Sequence, residues 1–276
     1  MIILKRFSLL LLALVMFTNQ GFSQTVSSNV RDGIYDRFTY KERKILAYDH
    51  IREADVFWEK RIWRVIDLRE KMNLPFTYPI MPFITILLNA AKTGEVTVYN
   101  GVDDNFITPI TPDELSQTLS TTDTIPYVDP VTYEESFKVI NNDFDPAKVQ
   151  KFRLKEDWVF DEETSTLVVR ILGIAPIMDK IDDQGNNRGE MTMFWAYYPD
   201  LRPVLVHFET FNPFNDGVKM TWEDIFEMRM FSSYIYKESN VYDRKIKDYS
   251  EGIDRLYEGE RIKQQIFEKE HDLWHF

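Results

Sequence analysis

The stretch Ala54-Asp55-Val56-Phe57-Trp58-Glu59-Lys60-Arg61-Ile62-Trp63-Arg64-Val65-Ile66-Asp67-Leu68-Arg69-Glu70-Lys71-Met72-Asn73-Leu74-Pro75 decides how the rest of the chain is read. With an advance of about 100° per residue, Ala47, Ile51, Ala54, Trp58, Ile62, Val65, Leu68 and Met72 gather within an arc of roughly 120°. That spacing predicts an amphipathic helix from Lys41 to Met72, with or without a break near Asp55. Asn73 and Pro75 end it, because a proline disfavours helical geometry in the residue before it. Val56 and Trp63 then point away from the apolar arc, among Glu53, Lys60, Asp67 and Glu70. On this reading the helix has a core face and an opposite face that needs a second surface.

Outward from this stretch, Pro75, Pro79 and Pro82 hold an extended passage. Ile84, Leu87, Leu88 and Ala91 then space as a short buried helix, closed by a turn at Thr93-Gly94-Glu95. Val96-Thr97-Val98-Tyr99 alternates as a strand. Thr111-Pro112-Asp113-Glu114 starts a helix, with proline in its first position and acids in its first turn. Ser116 to Thr132, rich in Thr and Ser, is expected to be a linker or exposed loop. Val149 to Phe160, Thr166 to Met178, Met191 to Tyr198 and Pro203 to Phe211 carry β-branched and aromatic residues and predict strands of an antiparallel meander. The connecting turns are expected at 182–187 and 198–203. Thr221 caps a further helix that runs on to Ile235. From Val241 the tail is helical, and its apolar face shifts at Gly259, which predicts two helices or one docked on two bodies.

The expected fold class is therefore α+β: an N-terminal helix packed on a mostly antiparallel sheet, with a helical C-terminal segment. The expected divisions are a signal peptide over residues 1–23, an N-terminal arm over 24–40, an α+β core over 41–240 and the helical segment over 241–276. Lys5 and Arg6 precede an apolar run from Phe7 to Phe17, with Gly21 and Ser23 as small residues before cleavage at Ser23/Gln24. The apolar run is short of the about 20 residues that span a bilayer. An exported chain without direct membrane insertion is the expectation.

The 276 residues contain no cysteine, which excludes disulfides, thiolate metal sites and anchoring by acylation of an N-terminal cysteine. The formal charge of −12 becomes −14 when Lys5 and Arg6 leave with the signal peptide. Such an acidic chain argues against nucleic acid and anionic lipid surfaces as partners.

Chemistry is sparse. His207 and Glu209, two apart on an expected strand, share a face and are a candidate dyad or half of a metal site; a satisfied structural histidine is the commoner case. Asp179 to Glu190 is superficially like a calcium loop, but Gln184 stands at the sixth position, where that loop needs glycine. A plain hairpin turn fits better. Nucleophile elbows, P-loops and dinucleotide fingerprints are absent from the sequence. The carboxylate pairs Glu134-Glu135 and Glu162-Glu163 read as solvated edges. No catalytic residue, cofactor or metal ligand is assigned. Among the tryptophans, Trp58, Trp195 and Trp222 read as core. Val56, Trp63 and Trp274, set among charges, are the candidate partner-interface residues, since tryptophan is enriched as an interface anchor.

The run from Asp55 to Asn73 resembles the signature of the GldN family, also called PorN, of the type IX secretion and gliding machinery of Bacteroidetes. The similarity is tight over residues 54–82 and looser over 83–99 and the β-rich half. It implies a non-enzymatic periplasmic subunit that meets a GldK/PorK-like outer-membrane lipoprotein, self-associates within a ring-like assembly and touches the periplasmic part of a GldM/PorM-like inner-membrane protein. The residues alone leave two other readings open: an exported carbohydrate- or substrate-binding module on the β-rich half, and a periplasmic hydrolase built on a carboxylate pair.

Overall fold

A computed structural model describes residues 43–273, apart from 120, 129–134, 143, 182–186, 213–214, 216 and 219. The expected signal peptide, the N-terminal arm and Trp274 lie outside the described residues.

Seven strands form the main path of an antiparallel sheet, and an eighth joins it from the side. In chain order the strands are β1 (Val56–Asp67), β2 (Val98–Asn100), β3 (Pro109–Ile110), β4 (Thr121–Val128), β5 (Glu135–Asn142), β6 (Val149–Asp161), β7 (Thr166–Ile181), β8 (Asn187–Thr192), β9 (Phe194–Tyr197), β10 (Glu209–Thr210), β11 (Met220–Thr221) and β12 (Tyr234–Glu238). The α-helices are α1 (Phe83–Thr93), α2 (Pro112–Leu119), α3 (Tyr198–Leu205), α4 (Trp222–Glu227) and α5 (Asp254–Leu273). The sheet runs in the order β12-β1-β6-β7-β9-β2-β3, with β8 paired to β7, while β4-β5 and β10-β11 are separate two-stranded pairs. The α+β class with an antiparallel sheet and a C-terminal helix is as the sequence predicts.

The N-terminal helix is not. The stretch expected to be helical holds the sheet's second strand, β1, paired with β6 from Val56 to Asp67 and with β12 on its other side. Seven of its twelve residues are β-branched or aromatic, namely Val56, Phe57, Trp58, Ile62, Trp63, Val65 and Ile66, a composition that fits a pleated surface. From Ile62 to Asp67 every residue is buried. A strand covered on both faces loses the alternation of apolar and polar residues that marks a half-exposed one, so its apolar residues fall by chance into a helical arc. Ahead of it, residues 43–50 form neither helix nor strand, and Arg43 donates to the Asp224 carboxylate on α4 at 2.6 Å.

Register assigns side chains to the two faces. Ile66, Phe152, Leu154 and Ile174 belong to the principal core, with Phe83, Ile86 and Leu87 of α1, Leu115 of α2, Tyr198 and Leu201 of α3, and Trp222 and Phe226 of α4. On the same face Ile62 and Ile235 meet Ile262 and Ile266 of α5. All five helices thus supply this side. The opposite face carries Trp63 of β1, Ala175 of β7 and Trp195 of β9, joined by Tyr99, Phe106 and Tyr236.

Several local expectations hold and others are corrected. α1 ends at Gly94 in the left-handed conformation, with φ of 75°. Thr221 and Asp224 form a capping box at α4, but α4 stops at Glu227 and Tyr234–Glu238 is strand β12. The expected linker from Ser116 to Thr132 contains the end of α2 and all of β4. The turn expected at 198–203 and the start of the strand expected from Pro203 to Phe211 are instead helix α3, with Pro199 in its first turn, where the missing N–H costs nothing, and Pro203 inside it; of that strand only Glu209–Thr210, β10, is extended. α5 passes through Gly259 unbroken. A Cβ there would stand 2.9 Å from the Ile235 carbonyl oxygen, so glycine lets the helix approach β12 rather than dividing it.

Candidate functional site

The side of the sheet away from the helices is built from alternate residues of β6. Lys151, Arg153 and Lys155 are two apart, so all three project to this side. Lys155 is 3% exposed, and its ammonium donates to the Asp104 carbonyl at 2.6 Å while lying over the rings of Trp63 and Phe106. Burial holds the Lys155 pKa below the ordinary lysine value, against the opposing pull of Asp104. Lys237 lies over the Trp63 ring from β12, 4.4 Å from its centroid. The Trp63 indole N–H donates to the Asp104 carboxylate.

Phe106 anchors the loop that covers this layer. Its ring meets Tyr99, Trp195 and Tyr197 edge-on. Its backbone has φ of 56°, uncommon for a bulky residue, and Gly173 on β7 makes room for it: a Cβ at 173 would lie 2.5 Å from the ring.

Beyond Lys155 the layer opens into a pocket of about 320 Å³ between the sheet and the segment that precedes and begins α5. Lys151, Arg153, Lys245, Lys247 and Arg255 line it, with Glu190 as the single carboxylate, and Tyr234, Tyr236, Val65 and Leu256 supply apolar wall. Lys151 is paired with Glu190. Arg153 donates to the Thr192 hydroxyl, lies 5.2 Å from the centroid of the Tyr236 ring and stands 3.8 Å from Glu190, yet its buried Nε has no hydrogen-bond partner. Burial, and then the charges of Arg153, Lys247 and Lys237, press the Lys245 pKa down. Leu256 in the pocket wall is exposed, as are Ile253 and Tyr257 close by in the chain. A second cavity, of about 500 Å³, lies by Phe76, Pro79, Pro82 and Pro146.

The expected contact residues fall in different surroundings. Val56 is half-buried at the start of β1, next to exposed Phe57. Trp63 is 6% exposed, so outward projection from a helix, the reason for singling it out, does not apply. Trp195 and Trp222 are buried and Trp58 is partly buried, as expected. His207 is exposed in the turn after α3 and Glu209 begins β10, so they are not successive residues of one strand. Glu162 and Glu163 are exposed in the β6–β7 turn. Asp179 and Glu190 are paired in the β7–β8 hairpin, and the loop residues 182–186 lie outside the described residues. Among the described residues no group of three or more His, Cys, Asp or Glu is placed to hold a metal. Sequence reasoning missed the cationic pocket, although the alternating Lys151, Arg153 and Lys155 already marked one face of β6.

The profile of the gliding motility associated protein GldN matches residues 51–275. The chain belongs to the GldN family. Membership makes it a component of the gliding motility and type IX secretion machinery. The matched region contains β1, the whole sheet and the cationic pocket. No curated protein matches the chain. Among the described residues no helix is long and apolar enough to cross a membrane.

Proposed function

We propose that this GldN-family chain is a non-enzymatic structural subunit of the secretion machinery, exported to the periplasm after cleavage near Ser23/Gln24. It assembles with a GldK/PorK-like outer-membrane lipoprotein and with further copies of itself in a ring, and touches the periplasmic part of a GldM/PorM-like inner-membrane protein. The family match over residues 51–275 carries this reading. The contrast between a helix-covered face and a cationic, aromatic one supports it, because the second offers surface that the fold's own core does not use. Val56, beside exposed Phe57, and Trp274 are the proposed contact residues. Trp63 acts behind the surface, as the plate on which Lys155 and Lys237 rest.

Light scattering on residues 24–276, alone and mixed with the lipoprotein, tests the proposal. A large complex that forms only with the lipoprotein supports it. A monomer that ignores both proposed partners contradicts it.

A further inference from the structure

We propose that the pocket between β6, β12 and residues 245–256 is a docking site for an acidic, aromatic- or aliphatic-flanked segment of a partner protein, its carboxylates seated between Arg153, Lys245 and Lys247. This goes beyond membership of the secretion machinery and does not depend on which machinery protein supplies the segment.

Charge complementarity is the first support. In a chain of formal charge −12, five cations converge on one concavity with only Glu190 among them. Among the described residues Lys245, Lys247 and Arg255 have no carboxylate within ion-pair distance, although the chain has 45 acids against 33 Lys and Arg, ample to supply them. Like charges held together by the fold destabilise the free protein, and an incoming carboxylate relieves that repulsion. The lowered Lys245 pKa, caused by burial and by its cationic neighbours, has the same origin.

The second support is the unmet donor. Arg153 is held in place by Thr192, Glu190 and the Tyr236 ring, and its buried Nε still lacks an acceptor. A guanidinium with a free edge is suited to a planar carboxylate.

The third support separates a peptide from a free inorganic anion. Leu256 in the pocket wall is 54% exposed, and Ile253 and Tyr257, its near neighbours in the chain, are 68% and 70% exposed; an anion alone would leave Leu256 in water. A pocket of about 320 Å³ lies at the small end of ligand sites, about 300–1,000 Å³. It takes acidic side chains, while their apolar neighbours rest on the rim.

Fluorescence anisotropy on the purified full chain tests this with two labelled peptides, deca-glutamate and an alternating glutamate–leucine decapeptide. Both bind; the alternating peptide binds several-fold tighter, and its affinity drops at least about tenfold between about 20 and 200 mM salt, as screening requires. The pair Lys245→Gln and Lys247→Gln, and separately Arg255→Gln, weakens binding while leaving the circular dichroism spectrum unchanged. The control pair Lys44→Gln and Lys92→Gln, exposed elsewhere, leaves binding intact. Equal loss in the control pair, no loss in the pocket variants, or full displacement by an equal charge concentration of inorganic phosphate would each overturn the proposal. Displacement by phosphate would identify a small-anion site instead.

Discussion

The two faces of the sheet are made from the same strands and do opposite things with charge. On the helix side Glu156 is wholly buried and fully matched: Arg229 donates to it at 2.9 Å and the Trp158 indole N–H at 3.2 Å. One residue earlier, on the other side, Lys155 meets one backbone carbonyl at close range and a carboxylate only at 3.8 Å. Farther along, Lys151 and Arg153 share the one carboxylate of Glu190, and among the described residues Lys245 and Lys247 have no carboxylate within ion-pair distance. A buried charge must be matched to be tolerated, and Glu156 on the helix side has its match inside the fold, while the cationic side gathers Lys151, Arg153, Lys245, Lys247 and Arg255 around Glu190 alone.

Substitution at the centre of the helix side has the largest expected effect. Phe83 is 0% exposed and touches the rings of Phe76, Phe152, Trp222 and Phe226. Phe83→Ala is expected to cost about 4 kcal/mol in urea unfolding, the range for truncating a core aromatic. A loss below about 1 kcal/mol would mean that the helices contribute little and the contrast is wrong.

Asn73 comes next. It is fully buried, its amide donates to the carbonyls of Asp67 and Ser232, and its oxygen accepts from Ser232 N–H. It ties the end of β1 to the approach to β12, and both strands serve both faces. Asn73→Ala takes the partner from both backbone groups of Ser232, while the Asp67 carbonyl keeps Glu70 N–H, and is expected to cost about 2 kcal/mol by the same measurement.

On the cationic side the effects shrink. Trp63→Phe keeps a ring beneath Lys155 and Lys237 but removes the N–H that Asp104 accepts. A cost of about 1 kcal/mol is expected, since Asp104 is partly exposed and recovers water. A cost matching that of Phe83→Ala would make the two faces equal structural partners.

The smallest effect is acid-dependent. Burial alone would raise the Asp224 pKa, but the Arg43 pair and the hydrogen bonds that the Thr221 N–H and hydroxyl donate to its carboxylate hold it below the usual aspartate value. A lowered folded pKa stabilises the fold above the unfolded value near 4, and that contribution fades as pH falls through the folded value. Thermal unfolding at pH 7 and pH 3 is therefore expected to show a larger acid-induced loss in the native chain than in Asp224→Asn, the difference being about 1 kcal/mol or less.

What was legible in the sequence follows the same division. α1, β6, β7 and the Thr221 cap were readable because each carries its signal locally: Gly94 after the last turn, long β-branched runs, a hydroxyl three residues before an acid. β1 was not, because tertiary cover on both faces erased its alternation, and only its composition spoke for a strand. α3 was hidden by Pro199 and Pro203, which read as a turn although the first suits a helix start. Gly259 read as a break because spacing cannot reveal a backbone approaching from β12. The pocket brings Lys151 and Arg153 together with Lys245 and Lys247, distant in sequence and joined only by the β6-β1-β12 order. The family signature itself spans β1 and the turn to Asn73, so the resemblance was visible even where its secondary structure was misread.

The most direct test of the contrast is hydroxyl-radical footprinting of residues 24–276, alone and in the reconstituted complex with the outer-membrane lipoprotein and the periplasmic part of the inner-membrane protein. Protection of Tyr234 and Leu256, which line the cationic pocket, with exposed Phe267 of α5 remaining as reactive as in the free chain, is the result expected if partners meet the cationic face. Protection of Phe267 with Tyr234 and Leu256 unchanged would contradict it and place the contact on the helix side.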